Sequence, residues 1–279
     1  MSETANKKRV AFQGERGAFS EAAAIEHFGT IEPLPRRTLA DVFDAVERGQ
    51  ADRGMVPVEN SQAGSINETY DLLVRRNLHI VGERHQRIEH CLLALPGDSL
   101  EMIRTVASHP QALAQCDAFL SRGGWETVAT YDTAGSAQLV ATERRSGVAA
   151  IASRHAAEIY GLVILASGIE TNPVNYTRFL ALSLTPAPPT DRAKTSVVFT
   201  TANVPGALHR ALGAFALRTI NLTKLESRPR RDRPWEYLFY VDFEVHQDAP
   251  EGRAALAELA GVTAFLRVLG SYPRAEGSE

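Results

Sequence analysis

From Arg9 onward, short apolar runs alternate with stretches whose apolar residues recur every three or four positions. RVAFQG and RGMVPVE are runs of the first kind, while Ser20 to Phe28, Leu39 to Arg48 and Ile66 to Arg76 have the helical spacing. Repeated switching between strand-like and helix-like periods predicts an α/β fold. Two helix starts carry capping-box spacing, Thr38 with Asp41 and Ser65 with Glu68, each followed by apolar residues at helical intervals.

A second α/β stretch follows. HCLLALP, TVASH, WETVATY and GVAAIAS read as strands, separated by helices expected to begin near Pro110, Thr133 and Ser153. Proline suits a first helical turn, because the N–H it lacks has no partner there. TRFLALSL reads as one more strand. The three prolines of TPAPPTDRAK then give a stiff, unpatterned linker, where a domain boundary is expected.

After Lys194 the order changes to TSVVFT, a helix from Gly206 to Ala216, INLTKLESR, WEYLFYVDFEV, a helix from Gly252 to Leu259, and FLRVLGSY. This is βαββαβ, a ferredoxin-like plan. Neither part repeats the other. A chain of 279 residues, 44% hydrophobic, has enough apolar material for a core in each of two domains.

Charge narrows the partners. A formal net charge of -3 with no block of like sign offers no general attraction to phosphate backbones or anionic membranes, so neither nucleic acid nor membrane is an expected partner. Cys91 and Cys116 lie in no CxxC or Cys/His cluster, so they are expected to be reduced structural thiols, with no metal site. The lysines near the N-terminus precede no apolar leader segment, and no run of 18 apolar residues occurs; the cytoplasm is the expected compartment.

Four segments hold candidate chemistry. GERG, before Ser20 at a helix start, can bring backbone N–H groups close to an anion, but it is neither a dinucleotide fingerprint nor a P-loop. A turn without ligand explains it as well. In GMVPVENSQAGSI a buried-looking strand runs into Glu59, Asn60 and Ser61, polar groups at the strand end where α/β sheets bind ligands; a satisfied Asx-turn uses the same residue types. SHPQALAQC repeats the arrangement with Ser108, His109 and Gln111, and His109 reads as a base, a ligand contact or a capping residue. In NPVNYTRF, Thr177, Arg178 and Phe179 open a strand. These patterns alone point to a small-anion binder or an enzyme.

Taken in order, GERGAFSE, GMVPVENSQAGSI, SHPQALAQC, AAIASRHAAEIYGL and the TRF triplet resemble the prephenate dehydratase family. KTSVVF, NVPGAL and NLTKLESRP resemble the ACT domain attached to those enzymes. The chain departs from the usual pattern at GERGAFSE, commonly GPEGTFSE, at Ala63-Gly64, often Glu-Gly, and at Gly206-Ala207-Leu208-His209, where GALV is usual. The resemblance implies a two-lobed catalytic domain over residues 8–185, like type-2 periplasmic binding proteins. Its lobes would be approximately 8–82 with 167–185, and 83–166. An ACT domain would span 194–273.

It further implies decarboxylating dehydration of prephenate to phenylpyruvate, with no cofactor and no metal. Thr177 would act as donor to the leaving hydroxyl and Arg178 as carboxylate anchor. Phe179, Glu59, Asn60, Ser61, Ser108, His109, Gln111 and Ser20 would form the rest of the substrate site, with Glu59 or His109 as proton source. Phenylalanine is the implied effector, bound by Pro205, Gly206, Ala207, Leu208, Asn221, Glu226 and Ser227 in a homodimer or homotetramer joined through ACT domains. The sequence has no N-terminal helical segment of the kind a chorismate mutase needs, so a single activity is expected. Arogenate dehydration and a non-catalytic amino-acid sensor are the alternatives.

Overall fold

The computed structural model describes residues 7–230, 233 and 235–275; residues 1–6, which bear on the expectation of no leader, lie outside them. The chain opens with β1 (Lys8–Gln13), α1 (Phe19–Phe28), β2 (Ile31–Arg36), α2 (Leu39–Glu47), β3 (Arg53–Asn60), the two-residue β4 (Gly64–Ser65), α3 (Asn67–Arg75) and β5 (His79–Arg87). β1 lies parallel to both β2 and β3, as α/β crossovers require. β2, which the pattern of apolar runs does not include, contains Pro33 and Pro35; it sits at the sheet edge, where a missing N–H is tolerated.

The Thr38 capping box forms: Thr38 Oγ1 accepts from Asp41 N at 3.1 Å, and the Asp41 carboxylate accepts from Thr38 N at 3.1 Å. The one expected at Ser65 and Glu68 does not. Ser65 is held in β4 opposite Glu59, and Ile66 N donates to Val58 O at 2.9 Å, so the backbone stays extended until α3 begins at Asn67.

The second lobe comprises β6 (Cys91–Ala94), β7 (Thr105–Ser108), α4 (Pro110–Gln115), α5 (Asp117–Gly123), β8 (Glu126–Ala129), α6 (Thr133–Glu143), β9 (Val148–Ala152), α7 (Arg154–Tyr160) and β10 (Val163–Ser167). Its five strands lie in the order β10-β6-β9-β7-β8. Val106, Ala149 and Ile151 from the sheet meet Ala112, Cys116 and Leu120 from α4 and α5 in its core. The chain then returns as β11 (Tyr176–Ser183), giving the first sheet the order β2-β1-β3-β11-β5 with β4 on β3. That strand order and the return crossing are the two-lobed, type-2 binding-protein-like arrangement.

The ferredoxin-like part is β12 (Ala193–Thr200), α8 (Ala207–Ala216), β13 (Leu222–Pro229), β14 (Tyr237–Phe243), α9 (Pro250–Val262) and β15 (Phe265–Pro273). Its antiparallel sheet has the order β13-β14-β12-β15, and one face packs Val197, Phe199, Val241 and Phe243 against Ala211, Phe215, Ala255 and Leu259 of the helices.

Two compact units result. One contains the chain up to Thr69 and Arg84–Leu180, the other Tyr70–Glu83 and the chain from Ala181 on. In the second unit Lys194 Nζ meets Glu83 Oε1 at 2.7 Å, both side chains almost wholly buried, and Arg267 donates to the carbonyls of Val74 and Arg76 at 2.8 and 2.5 Å. A Cβ at Gly270 would stand 2.1 Å from Ile80 O; only glycine lets β15 pass this backbone.

Candidate active site

Within the first unit, a cavity of about 410 Å³ opens where β1 and β3 end and β11 begins, facing the start of α4. C-terminal strand ends are where α/β sheets leave backbone groups and side chains unpaired for ligands. Thr177 and Phe179, on one face of β11, line it together with Asn60 at the end of β3; Ser20, His109 and Gln111 line it as well.

Asn60 is both the Asx-turn residue and a residue of the cavity wall. Its Oδ1 accepts from Gln62 N at 3.1 Å and Ala63 N at 2.9 Å, while Nδ2 lies 2.9 Å from Asn175 Oδ1, 3.0 Å from Thr177 Oγ1 and 3.2 Å from Tyr176 O. Asn175 Nδ2 in turn donates to Gln115 Oε1 at 3.1 Å, and that oxygen is 2.8 Å from His90 Nε2. His90 lines the cavity, almost wholly buried, and its Nδ1 has no hydrogen-bond partner. Burial depresses its pKa, against the opposing pull of Gln115 and the Glu170 charge, so the imidazole is neutral near pH 7.

The two lobes meet around the cavity through the GERG turn. Asp132 caps α6 through Gly135 N at 3.0 Å and accepts from Glu15 N at 3.1 Å with the same oxygen. Tyr131 OH donates to Glu15 Oε1 at 2.6 Å, and Ser153 Oγ, which also caps α7, donates to Gly17 O at 2.6 Å. Gly17 has φ +88°, and a Cβ there would stand 2.7 Å from Ala156 Cα. Glycine is required twice over, by conformation and by approach. The buried Glu21 accepts from Arg16 Nε and Gly17 N and pairs with His155 Nε2 at 3.6 Å.

Several expected site residues lie elsewhere. Glu59 and Arg178 are not among the residues that line the cavity; on β11 alternation gives Thr177 and Phe179 the cavity face and Arg178 the other. Ser108 is fully buried with its hydroxyl spent on Ile151 O at 2.7 Å. Ser61 ties β3 to β11 instead, donating from its backbone to Tyr176 O at 2.8 Å and accepting from Tyr176 N at 3.0 Å. His109 is the α4 cap, its Nδ1 accepting from Gln111 N at 3.2 Å, and still lines the cavity.

Sequence reasoning missed Arg37, His90, Gln115, Asn175 and Asp132. Gln115 follows Gln111 by one helical turn and Asn175 precedes Thr177 by two strand positions; both spacings were readable. Arg37 is the cavity's arginine, its guanidinium carbon 5.9 Å from the Tyr131 ring centre, and nothing local marks it. Burial pushes the Cys91 and Cys116 thiols up to about 11 and about 12, so neither serves as a nucleophile at neutral pH. Among the described residues no group of His, Cys, Asp and Glu side chains is placed to hold a metal ion, and no helix is long and apolar enough to cross a membrane.

In the second unit, Gly206 is the N-cap of α8 with φ +75°, preceded by Pro205 and followed by Ala207 and Leu208. Asn221 donates to Glu244 Oε2 at 3.1 Å. Glu226 and Ser227 lie on β13, the sheet's edge strand, whose residues alternate between half-buried and exposed.

A two-lobed α/β unit with a polar cavity at its strand ends, joined to a ferredoxin-like unit, defines a class of small-molecule proteins with an appended regulatory fold. This chain belongs to the prephenate dehydratase family: the family model of that description matches residues 10–187, and the ACT domain model matches 195–261. It is 49% identical to arogenate dehydratase/prephenate dehydratase 2 of Arabidopsis thaliana, a protein named as chloroplastic, over 96% of this chain and 73% of that one. Among solved structures it is similar to the prephenate dehydratase of Arthrobacter aurescens in complex with L-Phe, at 33% identity and TM-score 0.87 over 96% and 90% of the two chains. It is also similar to a protein described as GqqA, a novel type of quorum quenching acylase, at 38% identity and TM-score 0.90 over 98% and 100%.

Proposed function

We propose that the protein converts prephenate to phenylpyruvate, carbon dioxide and water, and that Thr177 protonates the leaving hydroxyl. One observation carries this reading: Asn60 Nδ2 occupies a lone pair of Thr177 Oγ1 at 3.0 Å, which leaves the hydroxyl hydrogen available to the cavity that Thr177 lines. The ring carboxylate leaves as carbon dioxide, and its bonding pair enters the ring. The C–O bond breaks as the oxygen takes the Thr177 proton and departs as water; solvent restores the threonine proton. Donation of this kind typically contributes about 10²–10⁴-fold.

A tight cation on the departing carboxylate would stabilise the substrate more than the transition state. Gln111 and Ser20 offer neutral groups instead. Arg37 suits the pyruvyl carboxylate, whose charge persists throughout. The catalytic domain spans 8–185 and the ACT domain 194–273 in this proposal. Phenylalanine binds at Pro205–Leu208, Asn221, Glu226 and Ser227, with copies joined through ACT domains as a dimer or tetramer. The edge position of β13 supports such pairing. We place the reaction in the cytoplasm, although the Arabidopsis relative is named as chloroplastic.

The second reading is arogenate dehydration, favoured by the relative's double name. Incubation with prephenate and arogenate, and with an N-acylated amide because the similar GqqA structure is described as an acylase, tests these readings, with Thr177→Ala as control and phenylalanine added. Phenylpyruvate from the wild type, at least 100-fold less from the variant, and inhibition by phenylalanine are expected. Turnover of arogenate alone, or of the amide alone, would overturn the proposal.

A further inference from the structure

We infer that Asn175 is a positioning residue: it is the middle link of a one-way hydrogen-bond chain running from the turn after β3 to His90, and this chain sets which atoms present hydrogens to the cavity. The inference rests on the proposed dehydration only for its effect on turnover.

The direction follows from donors and acceptors that have no choice. Gln62 N and Ala63 N are backbone donors, so the Asn60 atom at 3.1 and 2.9 Å from them is its oxygen. The other Asn60 atom is 3.2 Å from Tyr176 O, a carbonyl that only accepts, so it is the nitrogen. Two independent backbone anchors therefore fix one amide. The Asn175 atom 2.9 Å from that nitrogen must be oxygen, which turns the Asn175 nitrogen toward Gln115. The Gln115 atom it meets at 3.1 Å must accept, and the His90 Nε2 that approaches the same oxygen at 2.8 Å must carry a hydrogen.

Two consequences follow at the ends. Thr177 Oγ1, an acceptor from Asn60, keeps its hydrogen for the cavity. His90, neutral with Nε2 protonated, has a bare Nδ1, the very atom that finds no partner in the structure. Asn175 is fully buried, so no water substitutes for either of its two bonds. Replacing its NH₂ by an oxygen sets two acceptors against each other. The relief is rotation of the Gln115 amide, which then presents its own NH₂ to His90 Nε2 and moves the histidine hydrogen to Nδ1.

The test is ¹⁵N-histidine labelling of the whole protein, with His90 identified by the signal lost in His90→Gln. Wild type is expected to show a neutral ring with Nε2 protonated and Nδ1 bare; Asn175→Asp is expected to invert the pattern and lower kcat at least tenfold, with KM within about twofold. Gln115→Glu, which keeps an acceptor toward both neighbours, is expected to retain the wild-type pattern and serves where Asn175→Asp does not fold. An Nδ1-protonated His90 in wild type, or an Asn175→Asp protein with unchanged tautomer and kcat, overturns the inference. The tautomer is read without substrate, so its failure is distinct from failure of the proposed reaction.

Discussion

Arg37 and Arg178 separate two roles that look interchangeable in sequence. Both are arginines near polar segments, but only Arg37 lines the cavity. A hydrogen bond to a charged group contributes about 1.5–3 kcal/mol, so Arg37→Ala is expected to raise KM for prephenate roughly tenfold with little change in kcat, and more than Arg178→Ala does; steady-state kinetics on both variants decides. His155 gives a pH signature. Its pKa is raised chiefly by Glu21, so its contribution is fully present below the ordinary histidine value and is lost as pH rises through the raised one. Burial pushes the Glu21 carboxyl upward, but His155, the Gly17 N–H and Arg16 together outweigh it and lower its pKa; that contribution is lost as acid passes the lowered value. The stability difference between wild type and His155→Ala is therefore expected to reach on the order of 1 kcal/mol between about pH 5 and 6.5. It should fade as pH rises through the raised histidine value, as denaturant melts across pH will show.

At the scale of elements, the loop after β1 and the start of α7 bring the lobes into close contact at Gly17 and Ala156. Gly17→Ala adds a Cβ at 2.7 Å from Ala156 Cα and asks alanine to hold φ +88°. The lobes are expected to be pushed apart at this contact, and kcat/KM to drop at least tenfold, while far-UV circular dichroism stays as in wild type. A drop confined to thermal stability would instead mean that the glycine serves folding alone. Thr38 and Ser153 show how much of an element is local: each side chain accepts a backbone N–H of its own helix's first turn, at Thr38 as its spacing predicts and at Ser153 where a helix start is expected. Ser65 shows the limit. Its spacing to Glu68 is correct for a capping box, but a tertiary partner, β3, claims its backbone first.

For the whole molecule, the buried pair Lys194 and Glu83 joins β12 to a segment that precedes it by more than a hundred residues. Removing one partner of such a pair leaves a buried charge and costs about 3–5 kcal/mol. Lys194→Met is expected to destabilise the second unit by that order, and adding Glu83→Leu to restore much of it; urea melts of the single and double variants check this. Grouping of Tyr70–Glu83 with the chain from Ala181 onward has the same origin. No periodicity within residues 70–83 announces a partner so distant in sequence.

The alternation of apolar runs with helical spacing, the βαββαβ order, the Thr38 and Ser153 caps and the strand-end position of Asn60 and Thr177 all follow from local rules, since period and capping need only neighbouring residues. Motif order carried the family resemblance. Tertiary structure decided which face of β11 meets the cavity, turning Arg178 away, and it recruited Arg37 and His90 from segments without a local signal. It also spent the Ser108 hydroxyl on Ile151 O. Those outcomes depend on which distant donor or acceptor each group meets, a pairing set only when the two sheets and their helices come together.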